Sequence, residues 1–391
     1  MPEVRAGGNL SSGYSANALE TCVWKNYHIY CTDVQYLLKS ILPFLQRIQP
    51  QLQRCFFERH YAGGPHLRVR MCGSPAEVAR AEQALLEMTK AHFAAHPSVH
   101  QKRYSPEQVK LLLEAENEDI DPQDLSYHVD EAACRPYERL QHRLASDAAV
   151  HLLEDFLQDS MPLVAAILSS KRALRVEILR LYFAHALCIT GEVPRGCVAY
   201  KSHWEGFASL LSQRAIIARI EESYVRNRDA IIRLMQDVQA EYQSRCLSHD
   251  PVLREWERLS KVYRQKTEAI LRSGQQVTHQ PSSVEEVRNA KEKIRAKMVV
   301  ESKFVDTLFG DERFLALIRF QPRFLWPRVM TNLLYQTVSA AGLPVIEKMS
   351  MCYFAHRAAE TYWNCDLTEM LEETIQDVVS LHAHRLEGTG A

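Results

Sequence analysis

The sequence of 391 residues lacks the charge excess of a nucleic-acid-binding protein, because 47 Lys and Arg residues nearly balance 48 Asp and Glu residues. A dedicated nucleic-acid-binding domain usually has an isoelectric point above about 9. The sequence also lacks an apolar run of about 18 residues that would cross a membrane. Residues 1–20 lack the apolar core of a signal peptide. These absences predict a protein that binds neither nucleic acid directly nor a membrane.

The ten cysteines are scattered along the chain, and none of them forms a Cys-x-x-Cys pair. A chain of this length can bury a large core and needs no disulfide bridges for its stability. We therefore expect reduced cysteines and a cytoplasmic location. His382 and His384 stand two residues apart, which places them on different faces of a helix, so the sequence predicts no metal site.

Motifs of the common enzyme classes are also missing. The sequence contains no Gly-x-x-x-x-Gly-Lys-Ser/Thr phosphate loop, no Gly-x-Gly-x-x-Gly dinucleotide motif, no His-Glu-x-x-His zinc motif and no Gly-x-Ser-x-Gly nucleophile motif. We therefore expect no cofactor. What the sequence does contain is 46% apolar and 24% charged residues, which is typical of a folded globular protein.

The first hundred residues follow strand and helix patterns in the order β-α-β-β-α. Residues 55–73 contain two apolar runs joined by a Gly-Gly-Pro turn at 63–65, which predicts a pair of strands because glycine allows positive φ and proline blocks a helix. Ser74, followed by proline and then by Glu77, predicts the start of a helix.

From about residue 137 onward the apolar spacing is almost wholly helical. We predict an α+β fold, in which a small N-terminal mixed β-sheet with helices is followed by a predominantly helical remainder. Residues 1–20 are expected to be a mobile tail, and residues 21–391 a single domain with a helical insertion at about 205–305. The insertion would bind a leader peptide or form the interface of a homodimer, and its pattern does not choose between the two.

The segment FFERHYAGGPHLRVR, residues 56–70, carries the strongest chemical pattern. In a strand, His66, Arg68 and Arg70 would face one side. Such a row of cationic donors suits a carboxylate or a developing oxyanion. The alternative is a solvated strand face whose arginines pair with acidic neighbours.

This segment resembles the C-terminal domain of the lantibiotic dehydratases, also called the thiopeptide-type bacteriocin biosynthesis domain. Members of that family typically have a Phe-Phe-x-Arg-Tyr strand that leads into Gly-Pro-His-Leu-Arg-x-Arg. His60 stands where the family usually has tyrosine, and weaker similarity extends to residues 156–161 and 344–360. The matching positions are Phe56, Phe57, Arg59, Gly64, Pro65, His66, Leu67, Arg68 and Arg70.

The resemblance implies an enzyme that modifies a ribosomally synthesised precursor peptide carrying a leader. The first reaction it implies is elimination: a larger, separate domain glutamylates Ser or Thr, and the elimination domain expels glutamate to leave a dehydroamino acid. The length here has no room for that larger domain. We therefore expect a stand-alone lyase, with a glutamylating dehydratase subunit as a candidate partner.

Two alternatives remain open at this point. The family also includes thiopeptide pyridine synthases, which join two dehydroalanines by a formal [4+2] cycloaddition, close a macrocycle and release the leader. The other alternative belongs to a different class of function: a non-catalytic homologue that binds the precursor or a glutamylating partner.

The resemblance also indicates site residues, with two departures from the family pattern. Where the family has its Glu-x-x-Arg-Tyr-Gly-Gly segment, Glu138, Arg139, His142 and Arg143 are available here, but the Tyr-Gly-Gly is missing. Five residues before Arg357, the family's catalytic histidine is replaced by Cys352, and His356 lies one helical turn away. A thiol is a poorer proton shuttle than imidazole at neutral pH, and Cys352 would equally suit a buried apolar position. The predicted catalytic residues are Arg68, Arg70, His66, Arg143, Cys352 and His356, and the predicted substrate-binding residues are Arg59, Tyr61, Glu138 and Arg357.

Overall fold

The computed structural model describes residues 22–31, 33–97, 105–107, 109–110, 128–137, 139, 144–211, 213–244, 249–278, 284–318 and 321–388. The predicted mobile tail at 1–20 lies outside the described residues. Two of the predicted site residues, Glu138 and Arg143, also lie outside them.

A four-stranded sheet forms the N-terminal part of the fold, with the strand order β2-β3-β1-β4. All three pairings are antiparallel. The sequence predicted a mixed sheet, and the structure corrects this part of the prediction. The strands β1 and β2 do run in the same direction, but β3 lies between them and prevents a parallel pairing. The strands are β1 (Val23–Tyr30), β2 (Arg54–His60), β3 (His66–Gly73) and β4 (Glu131–Arg135).

Two helices, α1 (Val34–Ile48) and α2 (Pro75–Ala95), pack on the apolar face of this sheet. Leu67, Val69 and Met71 alternate along β3 and are buried in one core cluster with side chains of both helices. The predicted start of α2 is confirmed, because Ser74 and Glu77 form a reciprocal capping box. Because of this alternation, His66, Arg68 and Arg70 lie on the other side of β3.

The rest of the described chain is helical, which confirms the predicted α+β class with a mostly helical remainder. These helices are α3 (Asp147–Asp159), α4 (Met161–Ser169), α5 (Leu174–Thr190), α6 (Val193–Leu210), α7 (Arg214–Gln243), α8 (Pro251–Arg272), α9 (Val284–Lys297), α10 (Lys303–Leu308), α11 (Glu312–Ile318), α12 (Pro322–Ala340), α13 (Val345–Trp363) and α14 (Leu367–Gly388).

Helices α7 and α8 lie in the region predicted to be an insertion, and both contribute to the main core. Met235 of α7 and Trp256 of α8 are fully buried in the same cluster as the sheet residues. Tyr263 of α8 donates a hydrogen bond to Asp159 at the end of α3, with 2.8 Å between the oxygens. Both helices are therefore integral to the packing, and their status as an insertion relative to the family stays a prediction.

None of the helices in the described ranges combines the length and the apolar character that a bilayer crossing needs. The cysteines that the structure describes in these elements are free thiols.

A close contact between α5 and α6 makes Gly196 a test of the packing. A Cβ atom at Gly196 would lie 2.5 Å from the Cα and Cβ atoms of Ala186. We expect Gly196→Ala to lower the free energy of unfolding by about 1–3 kcal/mol, because the two helices would have to separate. Gly206→Ala in the same helix meets open space, so it should raise that free energy by roughly 0.5–1 kcal/mol. Urea denaturation measures both, and equal effects would contradict this packing.

Candidate active site

The polar face of the sheet gathers side chains from three strands. Strand alternation turns every second residue toward this face, and the register sets their neighbours. Both His28 of β1 and Glu58 of β2 lie opposite Arg68, while Tyr30 and His60 lie opposite His66. The face therefore carries Asn26, His28, Tyr30, Glu58, His60, His66, Arg68 and Arg70.

Aromatic rings pack closely around the fully buried His66. The ring centroids of His28 and His66 are 4.7 Å apart in a stacked arrangement, and those of Tyr30 and His66 are 4.6 Å apart. Burial, followed by the charge of Arg68, lowers the pKa of His28 to about 3 and holds the pKa of His66 well below its usual value. Both imidazoles are therefore neutral at pH 7. In the described part of the chain, no group of three His, Cys, Asp or Glu side chains is arranged to hold a metal.

The half-buried Arg68 donates hydrogen bonds to two imidazoles. Its Nη2 atom is 2.8 Å from Nδ1 of His60, and its Nε atom is 3.3 Å from Nε2 of His66. On the far side of the His66 ring, Nδ1 lies 2.9 Å from the carbonyl oxygen of Gly64. That carbonyl belongs to the hairpin turn, where Gly63 and Gly64 have positive φ. The carbonyl of the hairpin turn thus orients the His66 ring, and His66 orients the Arg68 guanidinium.

Arg70, two residues along the same strand, has a different environment. It is only 3% exposed, and its guanidinium forms an ion pair with Glu58. The guanidinium carbon lies 4.8 Å from the centroid of the Tyr137 ring and 5.8 Å from that of Phe56. Burial lowers the pKa of Arg70 to about 10, so the residue stays charged at pH 7. Its counter-charge and its burial favour a supporting role over direct contact with a substrate.

Glu154 of α3 holds Tyr137 in place beside Arg70. Its carboxylate, 2% exposed, accepts hydrogen bonds from the Tyr137 hydroxyl at 2.9 Å and from Nε and Nη2 of Arg139 at 2.9 and 2.8 Å. Arg54 of β2 donates to the same carboxylate. Burial acts to raise the pKa of Glu154, but the bonds from Arg139, Tyr137 and Arg54 outweigh it and hold the pKa below its usual range.

Three predicted site residues lie together on helix α13. Cys352 is fully buried, and its Sγ atom is 3.2 Å from the hydroxyl of Tyr335. Burial raises the pKa of the Cys352 thiol to about 11 and lowers the pKa of His356. The carboxylate of Glu360 lies 3.5 Å from Nδ1 of His356 and accepts a 2.8 Å hydrogen bond from Nη1 of Arg357.

Cys352 contacts Tyr335 of α12. His356 and Arg357 contact residues of α13 itself. Among the described residues, none of these contacts reaches the polar face of the sheet. Arg59 and Tyr61 are also apart from the row. Arg59 points to the opposite side of β2 from Glu58, because successive strand residues alternate. Its guanidinium carbon lies 5.3 Å from the centroid of the buried Tyr61 ring.

The structure thus brings together His66, Arg68 and Arg70, as the alternation predicted. Glu58 and His28 are neighbours of this row that the sequence did not predict. Both follow the same period of two within their own strands, which was the signal available for them. The link from Glu154 to Tyr137 had no local signal, because it joins residues 17 positions apart through a carboxylate on a separate helix.

The sequence model of the family described as "Lantibiotic biosynthesis dehydratase C-term" matches residues 24–359. The chain belongs to this family. The resemblance found from the sequence is thereby confirmed. The lantibiotic dehydratase C-terminal family match includes the polar sheet face, helices α7 and α8, and most of α13.

Two solved structures have the same fold as this lantibiotic dehydratase C-terminal family member. "Pyridine synthase, TbtD, from thiomuracin biosynthesis" is 20% identical, with a TM-score of 0.63, over 87% of this chain and 99% of that one. TsrL is 18% identical, with a TM-score of 0.60, over 90% of this chain and 98% of that one. At these identities the similarity shows the fold alone. None of the curated proteins compared with the sequence matches it.

The lowered pKa of His28 predicts that acid destabilises the fold. Its pKa is about 3 in the folded chain, whereas imidazole in an unfolded chain titrates near 6.5. As the pH falls below about 6.5, the unfolded chain therefore binds the proton first, and the free energy of unfolding decreases. His28→Gln removes this titration, so its free energy of unfolding should fall less steeply between about pH 6.5 and pH 4. Urea denaturation across this range tests it, and identical slopes for the two proteins would refute it.

Proposed function

We propose that this protein is a peptide-modifying enzyme that joins two dehydroalanines of a leader-bearing precursor by a formal [4+2] cycloaddition. The observation that carries the proposal is the polar face of the sheet. There, Arg68 is held by two imidazoles, while Glu58 neutralises Arg70. The face offers a strong hydrogen-bond donor beside neutral proton acceptors.

The proposed reaction needs these two kinds of group. One dehydroalanine acts as a diene only when the amide preceding it shifts a proton from nitrogen to oxygen. A guanidinium donor polarises that carbonyl oxygen, and a neutral imidazole relays protons. Arginine remains protonated and is a poor base, so the relay would fall to a histidine on the face. Loss of water and release of the leader as an amide then make the ring aromatic.

The fold similarity to a pyridine synthase agrees with this proposal, because nearly the whole of that chain is covered. It does not carry the proposal, since the identity is 20%. We propose the leader-bearing precursor peptide as the partner and the cytoplasm as the location.

Glutamate elimination, the first reaction that the family resemblance implies, is the second candidate. Its substrate carries a free carboxylate, and Arg68 would bind one. Two observations count against it. Glu58 occupies Arg70, which would otherwise be the second cation of a clamp, and Cys352, in the position of the family's histidine, is fully buried with a raised pKa.

Incubation with two synthetic peptides separates the candidates. The first carries a leader and two dehydroalanines, and the second carries the same leader and a glutamylated serine. We expect the first peptide to give a macrocycle and a free leader by mass spectrometry. Loss of glutamate from the second peptide, with no change in the first, would replace this proposal with elimination. No change in either would favour a non-catalytic subunit.

Alanine variants of Arg68 and Arg70 should have different effects, the first on turnover and the second on stability. Arg68→Ala removes the proposed donor and should lower turnover about 10²-fold or more. Arg70→Ala leaves Glu58 without its partner and should lower the free energy of unfolding by about 3–5 kcal/mol. Turnover assays and urea denaturation of both variants test this difference. Full turnover by a folded Arg68→Ala variant would exclude Arg68 from the reaction.

A further inference from the structure

His60 and His66 contact Arg68 from two sides, and their hydrogen bonds identify which ring nitrogen carries the proton. In His66, Nδ1 lies 2.9 Å from the Gly64 carbonyl oxygen, which only accepts. Nδ1 therefore carries the proton. The opposite nitrogen, Nε2, accepts from Nε of Arg68 at 3.3 Å.

His60 has the reverse arrangement. Its Nδ1 atom accepts from the backbone N–H of Ala62 at 3.1 Å and from Nη2 of Arg68 at 2.8 Å. Since both partners donate, Nδ1 of His60 has no proton, and the neutral ring carries it on Nε2.

We propose that His60 and His66 are positioning residues that hold the Arg68 guanidinium at Nε and Nη2, as neutral acceptors in opposite tautomers. The proposal rests on the proposed function in one respect: Arg68 is taken as the group that meets the substrate. His66 is completely buried, so it acts through Arg68 rather than on the substrate.

The choice of acceptors has an electrostatic consequence. A carboxylate acceptor would neutralise the guanidinium, whereas a neutral imidazole orients it and cancels none of its charge. The same strand shows both cases. Glu58 lies opposite Arg68 in the register, yet it forms its ion pair with Arg70. At Nε and Nη2, Arg68 donates to imidazoles instead, and these two contacts orient the guanidinium without adding a counter-charge.

Burial keeps His66 in its acceptor state. The ring has no exposed surface, and desolvation together with the charge of Arg68 lowers the pKa of His66 well below its usual value. A protonated His66 would present an N–H to the Arg68 N–H, and the contact would be lost. The hairpin turn supports the tautomer as well, because its Gly64 carbonyl takes the proton of Nδ1.

Amide side chains provide matched variants. Asparagine at position 60 places an oxygen where Nδ1 of His60 lies, and glutamine at position 66 places one near Nε2 of His66. We expect His60→Leu and His66→Leu to lower kcat about 10²-fold, because a displaced donor no longer meets the reacting atom. KM should change little. His60→Asn and His66→Gln should recover most of the loss, and His96→Gln, an exposed residue paired with Tyr36, is the control with unchanged kcat.

A measurement on the wild-type protein tests the arrangement without any activity assay. Long-range ¹⁵N–¹H NMR spectra of histidine-labelled protein report the tautomer of each ring. We expect Nδ1–H for His66, Nε2–H for His60, and slow exchange of the Arg68 Nε–H proton. The same tautomer in both rings, or a charged ring at pH 7, would overturn the proposal even if the leucine variants do not fold.

The two proposals fail in different ways. Opposite tautomers together with an inactive wild-type protein on the dehydroalanine peptide would contradict the proposed function and leave the Arg68 arrangement standing. An active wild-type protein whose folded leucine variants keep full kcat would contradict the positioning role and leave the proposed function standing.

Discussion

The turn at residues 63–65 fixes the register of β2 against β3, and the polar face depends on that register. Gly63 and Gly64 both have positive φ, a conformation that costs other residues about 1–2 kcal/mol. A slip of one residue would turn every side chain of one strand to the opposite face of the sheet. Glu58 would then be separated from Arg70, and His60 would be separated from Arg68. The turn therefore determines which side chains of β2 contact the two arginines of β3.

Burial explains why the two arginines of β3 have different partners. A buried cation without a counter-charge is unstable, so Arg70, at 3% exposure, needs Glu58. Arg68 is half-buried, and at Nε and Nη2 it donates to two imidazoles. The face consequently carries less positive charge than two arginines on one strand suggest.

In the helical part of the chain, the family resemblance predicted the position of a site residue but not its burial. Counting positions along α13 placed Cys352 where the family has its histidine, and the family match extends through this residue. Counting says nothing about burial, and the thiol is completely enclosed beside the Tyr335 hydroxyl. The role predicted for Cys352 depends on access to a substrate. In the proposed function, the proton transfer falls instead to a neutral histidine on the polar face of the sheet.

The sequence by itself determined the strand alternation that puts His66, Arg68 and Arg70 on one face, and it determined the capped start of α2. Both depend on residues within a few positions of each other, so periodicity and capping patterns reveal them. Only the tertiary structure decided that β3 lies between β1 and β2, which makes the sheet antiparallel. It also decided that Glu154 on a distant helix holds Tyr137 against Arg70. These contacts join segments far apart in the chain, and they form only when the core packs.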